Sequence, residues 1–191
     1  MGIRITDLFF AYGENQLYGG LNLSLPDCGV YALTGASGCG KTTLLRLMAG
    51  LERPKSGSVE VDGRISAVFQ EDRLLPWLTA LENVSVVSDT ETAERMLAAV
   101  GLANDVHRFP RQLSGGMCRR VAIARALAYG GDVLLLDEPF NGIDREAAQH
   151  IIAQLTAFRD TRLIVLVTHD AALLELCGAE TLLVENLVLP H

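Results

Sequence analysis

Gly35-Ala36-Ser37-Gly38-Cys39-Gly40-Lys41-Thr42 decides the reading of this chain, because Gly-x-x-x-x-Gly-Lys-Thr works only between a buried strand and a helix. Both neighbours are there. Val30-Tyr31-Ala32-Leu33-Thr34 is an apolar run of strand length, and Thr43-Leu44-Leu45-Arg46-Leu47-Met48-Ala49 is a strong helix former closed by Gly50. In such a loop the glycines let successive backbone N–H groups turn inward around phosphate oxygens, and the positive end of the helix adds to the attraction. Lys41 is then placed to reach the outer phosphates of a nucleotide, and the Thr42 hydroxyl to ligate a magnesium ion that neutralises them. The run predicts a nucleotide phosphate site.

Composition bounds the rest. At 191 residues the chain suits one α/β core with room for a smaller attached layer. A hydrophobic fraction of 49% is that of an ordinary globular protein, and no apolar run approaches the roughly 18 residues that span a bilayer. Met1 to Asp7 has no basic segment followed by an apolar core, so a cytosolic protein is expected. A net charge of −7 disfavours partners bound through a phosphate backbone, so no nucleic-acid partner is expected. Cys28, Cys39, Cys118 and Cys177 show no C-x-x-C spacing, which points to reduced thiols rather than zinc or disulfides.

Upstream of the loop, Ile3 to Phe10 and Leu21 to Leu25 read as an antiparallel pair turned at Tyr12-Gly13-Glu14-Asn15. The ring of Tyr12 can stack on a base or simply pack. Downstream, Ser58 to Phe69 reads as two strands around the Asp62-Gly63 turn, with Gln70 at the end of the second, where an amide can point into a ligand crevice. From Glu71 to about Gly131 the pattern is helical. Thr79-Ala80-Leu81-Glu82 and Ser88-Asp89-Thr90-Glu91 fit capping boxes, and the second predicts a helix to Ala99 closed by Gly101. Trp77, the single tryptophan, is expected inside this insertion, with a partner anchor as the alternative. Ser114 is a predicted N-cap, and Gly115 and Gly116 expose N–H groups at a helix start.

Val133 to Glu138 is a buried strand ending in two carboxylates, an expensive placement without a task. Asp137 suits magnesium coordination, and Glu138 suits orienting or deprotonating an attacking water. Asp144 to Asp160 is amphipathic, with Ala148, Ile151, Ile152, Leu155 and Phe158 on one face. Another buried strand, Leu163 to Thr168, leads to His169, followed by a short helix at Ala171 to Leu176 and two small strands about Glu185-Asn186.

Taken in order, these elements resemble the ATP-binding cassette family, specifically the nucleotide-binding subunit of ABC transporters. The likeness covers nearly the whole chain. It implies an α/β fold with a P-loop NTPase core built on a mainly parallel sheet, plus an antiparallel β subdomain and an inserted α-helical subdomain. Residues 1–191 would form one nucleotide-binding domain, with a catalytic core at about 1–70 and 131–191 and the helical subdomain at about 71–130. The resemblance implies ATP and Mg2+ as ligands. Tyr12 would stack on adenine; Gly35, Ala36, Ser37, Gly38, Cys39, Gly40, Lys41, Thr42 and Thr43 would hold the phosphates; Thr42, Gln70 and Asp137 would serve the metal. Lys41, Gln70, Glu138 and His169 would carry the catalysis. Ser114, Gly115 and Gly116 would meet the γ-phosphate bound to a second copy of the chain, and Asp144 belongs to the aspartate loop Asn141-Gly142-Ile143-Asp144.

The same resemblance implies transmembrane permease subunits as partners, a groove near Gln70 and Leu74 to Trp77 through which they read dimer closure, and indirectly a substrate-binding protein. Such a subunit would sit on the cytoplasmic face of the inner membrane. Phe69 to Trp77 looks like the bacterial importer subunits for nitrate, sulfonates and taurine. Met117 departs from the glutamine usual after Leu113-Ser114-Gly115-Gly116, and the chain ends soon after His169, so no attached regulatory domain is expected. Met117 motivates one alternative, an ATP-dependent dimerisation module with little hydrolysis. A soluble cassette ATPase outside transport is another, against which the acidic balance argues. A small-molecule P-loop kinase would leave Ser114 to Gly116 and His169 unexplained.

Overall fold

Alternating buried and exposed positions build the first elements in the computed structural model, which describes residues 2–184. Ile3–Tyr12 (β1) and Asn15–Leu25 (β2) pair antiparallel, and Ile3, Ile5, Leu8 and Phe10 turn into the core. Gly29–Thr34 (β3) enters a second sheet and hands the chain through the glycine loop to Lys41–Met48 (α1), which buries Leu44, Leu45, Leu47 and Met48. Ser56–Val61 (β4) returns to the free edge of β1, completing a three-stranded antiparallel sheet in the order β2-β1-β4.

Ile65–Val68 (β5) does not fold back on β4. It joins the second sheet, so the Asp62-Gly63 turn joins two sheets and closes no hairpin. The backbone on each side is claimed by a different neighbour: Asp62 N–H donates to Gly2 O at 2.9 Å, while Arg64 N–H donates to Asp132 Oδ2 at 2.8 Å.

The middle of the chain is helical: Ala80–Ser85 (α2), Thr90–Ala99 (α3), a single 3-10 turn at Pro110–Gln112, and Gly115–Tyr129 (α4). Thr79 and Glu82 make the predicted capping box. At α3 the cap is Asp89 rather than Ser88, because the Asp89 carboxylate accepts from Thr92 N–H at 2.7 Å and outcompetes a hydroxyl. Ser88 Oγ is turned back to donate to Val84 O at 3.3 Å.

Strands and helices then alternate as Val133–Asp137 (β6), Arg145–Phe158 (α5), Leu163–Val167 (β7), Ala171–Cys177 (α6) and Glu180–Leu183 (β8). The result is a five-stranded parallel sheet in the order β5-β6-β7-β3-β8. β8 precedes the closing strands expected about Glu185-Asn186, which lie outside the described residues. Every residue of β6 and β7 is buried, which is why both read as unbroken apolar runs. Their side chains alternate between two cores. Leu134, Leu136, Ile164 and Leu166 meet Leu97 of α3, Ile123 of α4 and Ile151 of α5, while Val133, Leu135, Val165 and Val167 meet α1 and the antiparallel sheet.

Trp77 is not inside this arrangement; it is 68% exposed. Asn83 occupies the interior position instead. This buried amide accepts from Leu75 N–H at 2.7 Å and donates to the carbonyls of Leu75, Leu78 and Thr79 at 3.0–3.1 Å, folding Leu75 to Leu78 into a turn with Trp77 outside. Asn83→Ala strips these backbone groups of their partners and is expected to cost about 3 kcal/mol of unfolding free energy. Urea denaturation measures it, and a loss below about 1 kcal/mol counts against this account of the turn.

Candidate functional site

Strand register sets the site. Leu33 of β3 lies opposite Val167 of β7, and Val167 lies opposite Asp137 of β6, so the three strands end level with one another. Their carboxyl ends deliver the glycine loop, Glu138 and His169 to the same edge of the sheet, and β5 delivers Gln70 beside them. A crevice outside such strand ends is where open parallel sheets take ligands.

In the loop, Gly40 has φ 101° and caps α1; a Cβ there would overlap the Tyr18 hydroxyl, which donates to Gly40 O at 2.7 Å. Burial pushes the Tyr18 phenol well above its usual value, so it stays a donor. Lys41 is 6% exposed, and its ammonium donates to Gly35 O at 2.9 Å and Ala36 O at 2.8 Å, with Cys39 Sγ 3.8 Å away. The loop thus holds its cation ready with two backbone carbonyls and the Cys39 sulfur.

Asp137 has no exposed surface. Its Oδ1 accepts from the Thr42 hydroxyl at 3.2 Å, and its Oδ2 has no protein partner. Burial raises the Asp137 pKa, opposed by the Thr42 hydrogen bond and by the charges of Arg119, Arg46 and Lys41. The unpartnered oxygen and the neighbouring hydroxyl form an all-oxygen donor set of the kind magnesium accepts. Among the described residues no group of three His, Cys, Asp or Glu side chains is placed to hold a metal by itself, so a metal here would draw further ligands from phosphate oxygens and water.

Glu138 follows with φ 49°, a left-handed conformation that costs a non-glycine residue about 1–2 kcal/mol. Its N–H is held by Val167 O at 2.9 Å, and its Oε1 lies 3.2 Å from His169 Nε2. Burial raises the Glu138 pKa; the nearby His169 opposes the shift and Asp137 adds to it. This describes a carboxylate strained into the crevice and pre-aligned by an imidazole.

Tyr12, Ser37, Gly38, Gly40, Lys41, Thr42, Thr43, Gln70, Asp137, Glu138 and His169 line one cleft of about 390 Å³. Tyr12 stands at its rim, 45% exposed, braced edge-on against Phe10 at 4.9 Å and donating to Glu52 Oε1 at 3.2 Å. Gly35, Ala36 and Cys39 belong to the loop without lining the cleft. Ser114, Gly115, Gly116 and Asp144 are not brought to it. Ser114 and Asp144 cap α4 and α5, accepting from Met117 N–H at 3.2 Å and Ala147 N–H at 2.9 Å, and the Ala147 bond holds the Asp144 carboxyl below its usual range. Met117 contributes its backbone to that cap, so the side chain there leaves the cap untouched. Tyr18 escaped the sequence reading, because one buried tyrosine in a strand gives no sign that its hydroxyl braces a loop.

Residues 18–141 match the ABC transporter family. Among curated proteins, the chain is 44% identical over 178 residues to the aliphatic sulfonates import ATP-binding protein SsuB 1 of Pseudomonas syringae pv. syringae (strain B728a), covering 89% of this chain and 74% of that one. It is 40% identical over 194 residues to the SsuB protein of Corynebacterium glutamicum, covering 95% and 79%. Among solved structures it is similar to a dimeric, post-hydrolysis state of the ATP-binding cassette MJ0796 bound to ADP and phosphate, with TM-score 0.83, 28% identity, and 91% and 90% of the two chains covered.

The raised carboxylates make stability pH-dependent. Between the ordinary carboxylate value of about 4 and their raised values, the folded protein binds more protons than the unfolded chain, so stability falls as pH rises through that window and levels off above it. Asp137→Asn keeps an acceptor for Thr42 and removes the buried charge. It is expected to raise the melting midpoint of the nucleotide-free protein by about 2–4 °C at neutral pH, read by calorimetry at two pH values; a lower midpoint would refute the sign.

Proposed function

This chain belongs to the ABC transporter family as an ATP-binding and ATP-hydrolysing subunit of a bacterial importer, and from that premise we propose that two copies close on ATP and magnesium to drive transport through permease subunits. The convergence of Lys41, Asp137, Glu138 and His169 at neighbouring strand ends carries the reading. Phosphate oxygens would replace Gly35 O and Ala36 O around Lys41, exchanging neutral acceptors for anionic ones and strengthening both hydrogen bonds. Tyr12 would stack on the base, and Ser37, Gly38, Gly40 and Thr43 would complete the cradle. Thr42, Asp137 and Gln70 would hold magnesium, which supplies charge neutralisation of the phosphates when bound.

Glu138 would take the proton of a water attacking the γ-phosphorus as the bond to the β-phosphate oxygen breaks, giving ADP and phosphate. His169 would orient Glu138 through the 3.2 Å contact and meet the γ-phosphate with its exposed ring. Ser114, Gly115 and Gly116, remote from the cleft of their own chain, would close that of a second copy, with Asp144 nearby. The dimeric state of MJ0796 supports this arrangement.

Among the described residues no helix is long and apolar enough to cross a membrane, and the exposed Trp77, in the segment that follows Gln70, is a fitting contact for a transmembrane partner. The subunit would therefore sit at the cytoplasmic face of the inner membrane through its permease, fed indirectly by a substrate-binding protein. Aliphatic sulfonates are the cargo class that the relatives favour. We also propose the division into a catalytic core at about 1–70 and 131–191 and a helical subdomain at about 71–130, because the helices follow Gln70 directly and end with α4, which Ser114 caps, before β6 resumes the parallel sheet.

Glu138→Gln is expected to lower ATP turnover by at least about 100-fold while leaving ATP binding intact. Light scattering after gel filtration should show this variant as a dimer with ATP and magnesium and a monomer without them. A monomer at saturating ATP, for both this variant and the same variant with Met117→Gln added, would refute closure of two copies on ATP without the permease.

A further inference from the structure

Arg119 stands beside Arg120 and reads as surface charge, yet it is only 5% exposed. Its guanidinium turns toward the chain leaving β5. Nη1 donates to Phe69 O, and Nη2 donates to Gln70 O at 3.0 Å. Nη1 also lies 3.1 Å from Asp72 Oδ1, close enough for an ion pair though not aligned as a hydrogen bond. Further along the same helix, Arg125 donates through Nη2 to Asp72 O at 2.9 Å and through Nη1 to Arg73 O at 3.1 Å. Arg73 itself has φ 48°. The carbonyls of Phe69, Gln70, Asp72 and Arg73 are thus all taken by arginines of α4. A planar guanidinium that holds two successive carbonyls fixes the orientation of the peptide planes as well as their position.

We propose that Arg119 is a positioning residue for Gln70. By gripping the carbonyls of the two peptide groups that flank the Gln70 Cα, it sets where the Gln70 side chain enters the cleft. It also makes that placement follow α4, which begins at the Ser114 to Gly116 segment. The inference rests on the reading above that Gln70 serves the metal and the catalysis. It predicts an effect on the chemical step rather than on nucleotide affinity, because Lys41, held by carbonyls of its own loop at the start of α1, would meet the phosphates independently of Gln70.

The test is steady-state ATP hydrolysis by the full chain carrying Arg119→Met, Arg119→Lys, Gln70→Ala, or Arg119→Met with Gln70→Ala. Both Arg119 variants are expected to lower kcat by about ten-fold or more, with the KM for ATP moving less than about two-fold. Lysine keeps a charge beside Asp72 but cannot bridge two carbonyls in a fixed plane, so it preserves the fold and recovers only part of the rate. Adding Arg119→Met to Gln70→Ala is expected to cost only the smaller loss that follows from removing the charge Arg119 lends to Asp137, since a residue acting through Gln70 has nothing left to position. A rise in KM with kcat unchanged, or losses that multiply in full, overturns the proposal. If Gln70→Ala is slow while Arg119→Lys matches the wild type, the positioning role alone fails. If Gln70→Ala turns over ATP like the wild type, the role of Gln70 fails and the proposal with it. Should Arg119→Met not fold by circular dichroism, Arg119→Lys decides: a wild-type kcat overturns the proposal, and a reduced kcat at unchanged KM supports it.

Discussion

A carboxylate with no exposed surface and one unpartnered oxygen is the constraint on which the site depends. Burying Asp137 costs free energy that the single Thr42 hydrogen bond does not offset. The charge is tolerable because Lys41, Arg46 and Arg119 lean on it from different elements. A cation arriving with phosphates would offset that cost. The fold therefore carries its electrostatic strain at the cleft, and directly after Asp137, which lies opposite Val167, Glu138 takes its left-handed turn beside His169. Ligand binding and the readiness of the acid pair share one origin in the level strand ends.

Close backbone approach is a second device. Gly116, at the start of α4, is packed so tightly on the Gly142 carbonyl that a Cβ there would overlap it. Gly142 lies in the turn between Glu138 and the α5 cap Asp144, so the segment proposed to reach a second copy is in contact with the loop that leaves the acid pair. A displacement at Gly116 must push on that loop, because two atoms already at contact distance have no slack to absorb it.

How much of this could be read from residues alone follows from what each signal reports. The glycine loop, the two carboxylates and His169 were legible because chain order and strand length already place them at strand ends, and a parallel sheet collects such ends on one edge. The fate of β4 and β5 was not legible: alternation says that a segment is a strand, but not which strand it pairs with, and the hydrogen bonds of Asp62 and Arg64 to Gly2 and Asp132 are long-range. Trp77 misled because its size favours burial, whereas the buried Asn83 amide had the stronger claim on the interior through its hydrogen bonds. Arg119 hid in a basic pair. The one available signal was its position four residues before the buried Ile123, which places it on the core face of the helix.

Helix α4 joins these observations mechanically. Its 15 residues make a rod of about 22 Å. The N-terminal turn carries Ser114 to Gly116 and touches Gly142, and the next turns hold the carbonyls that follow β5 through Arg119 and Arg125. Its apolar face, with Val121, Ile123, Ala124 and Leu127, is buried in the core that it shares with β6 and β7. A rod gripped at several points cannot shift at one end alone. A contact made at Ser114 to Gly116 would therefore be delivered to Gln70 and to the Asp144 loop together, whereas Lys41 begins α1, whose apolar residues pack in the other core.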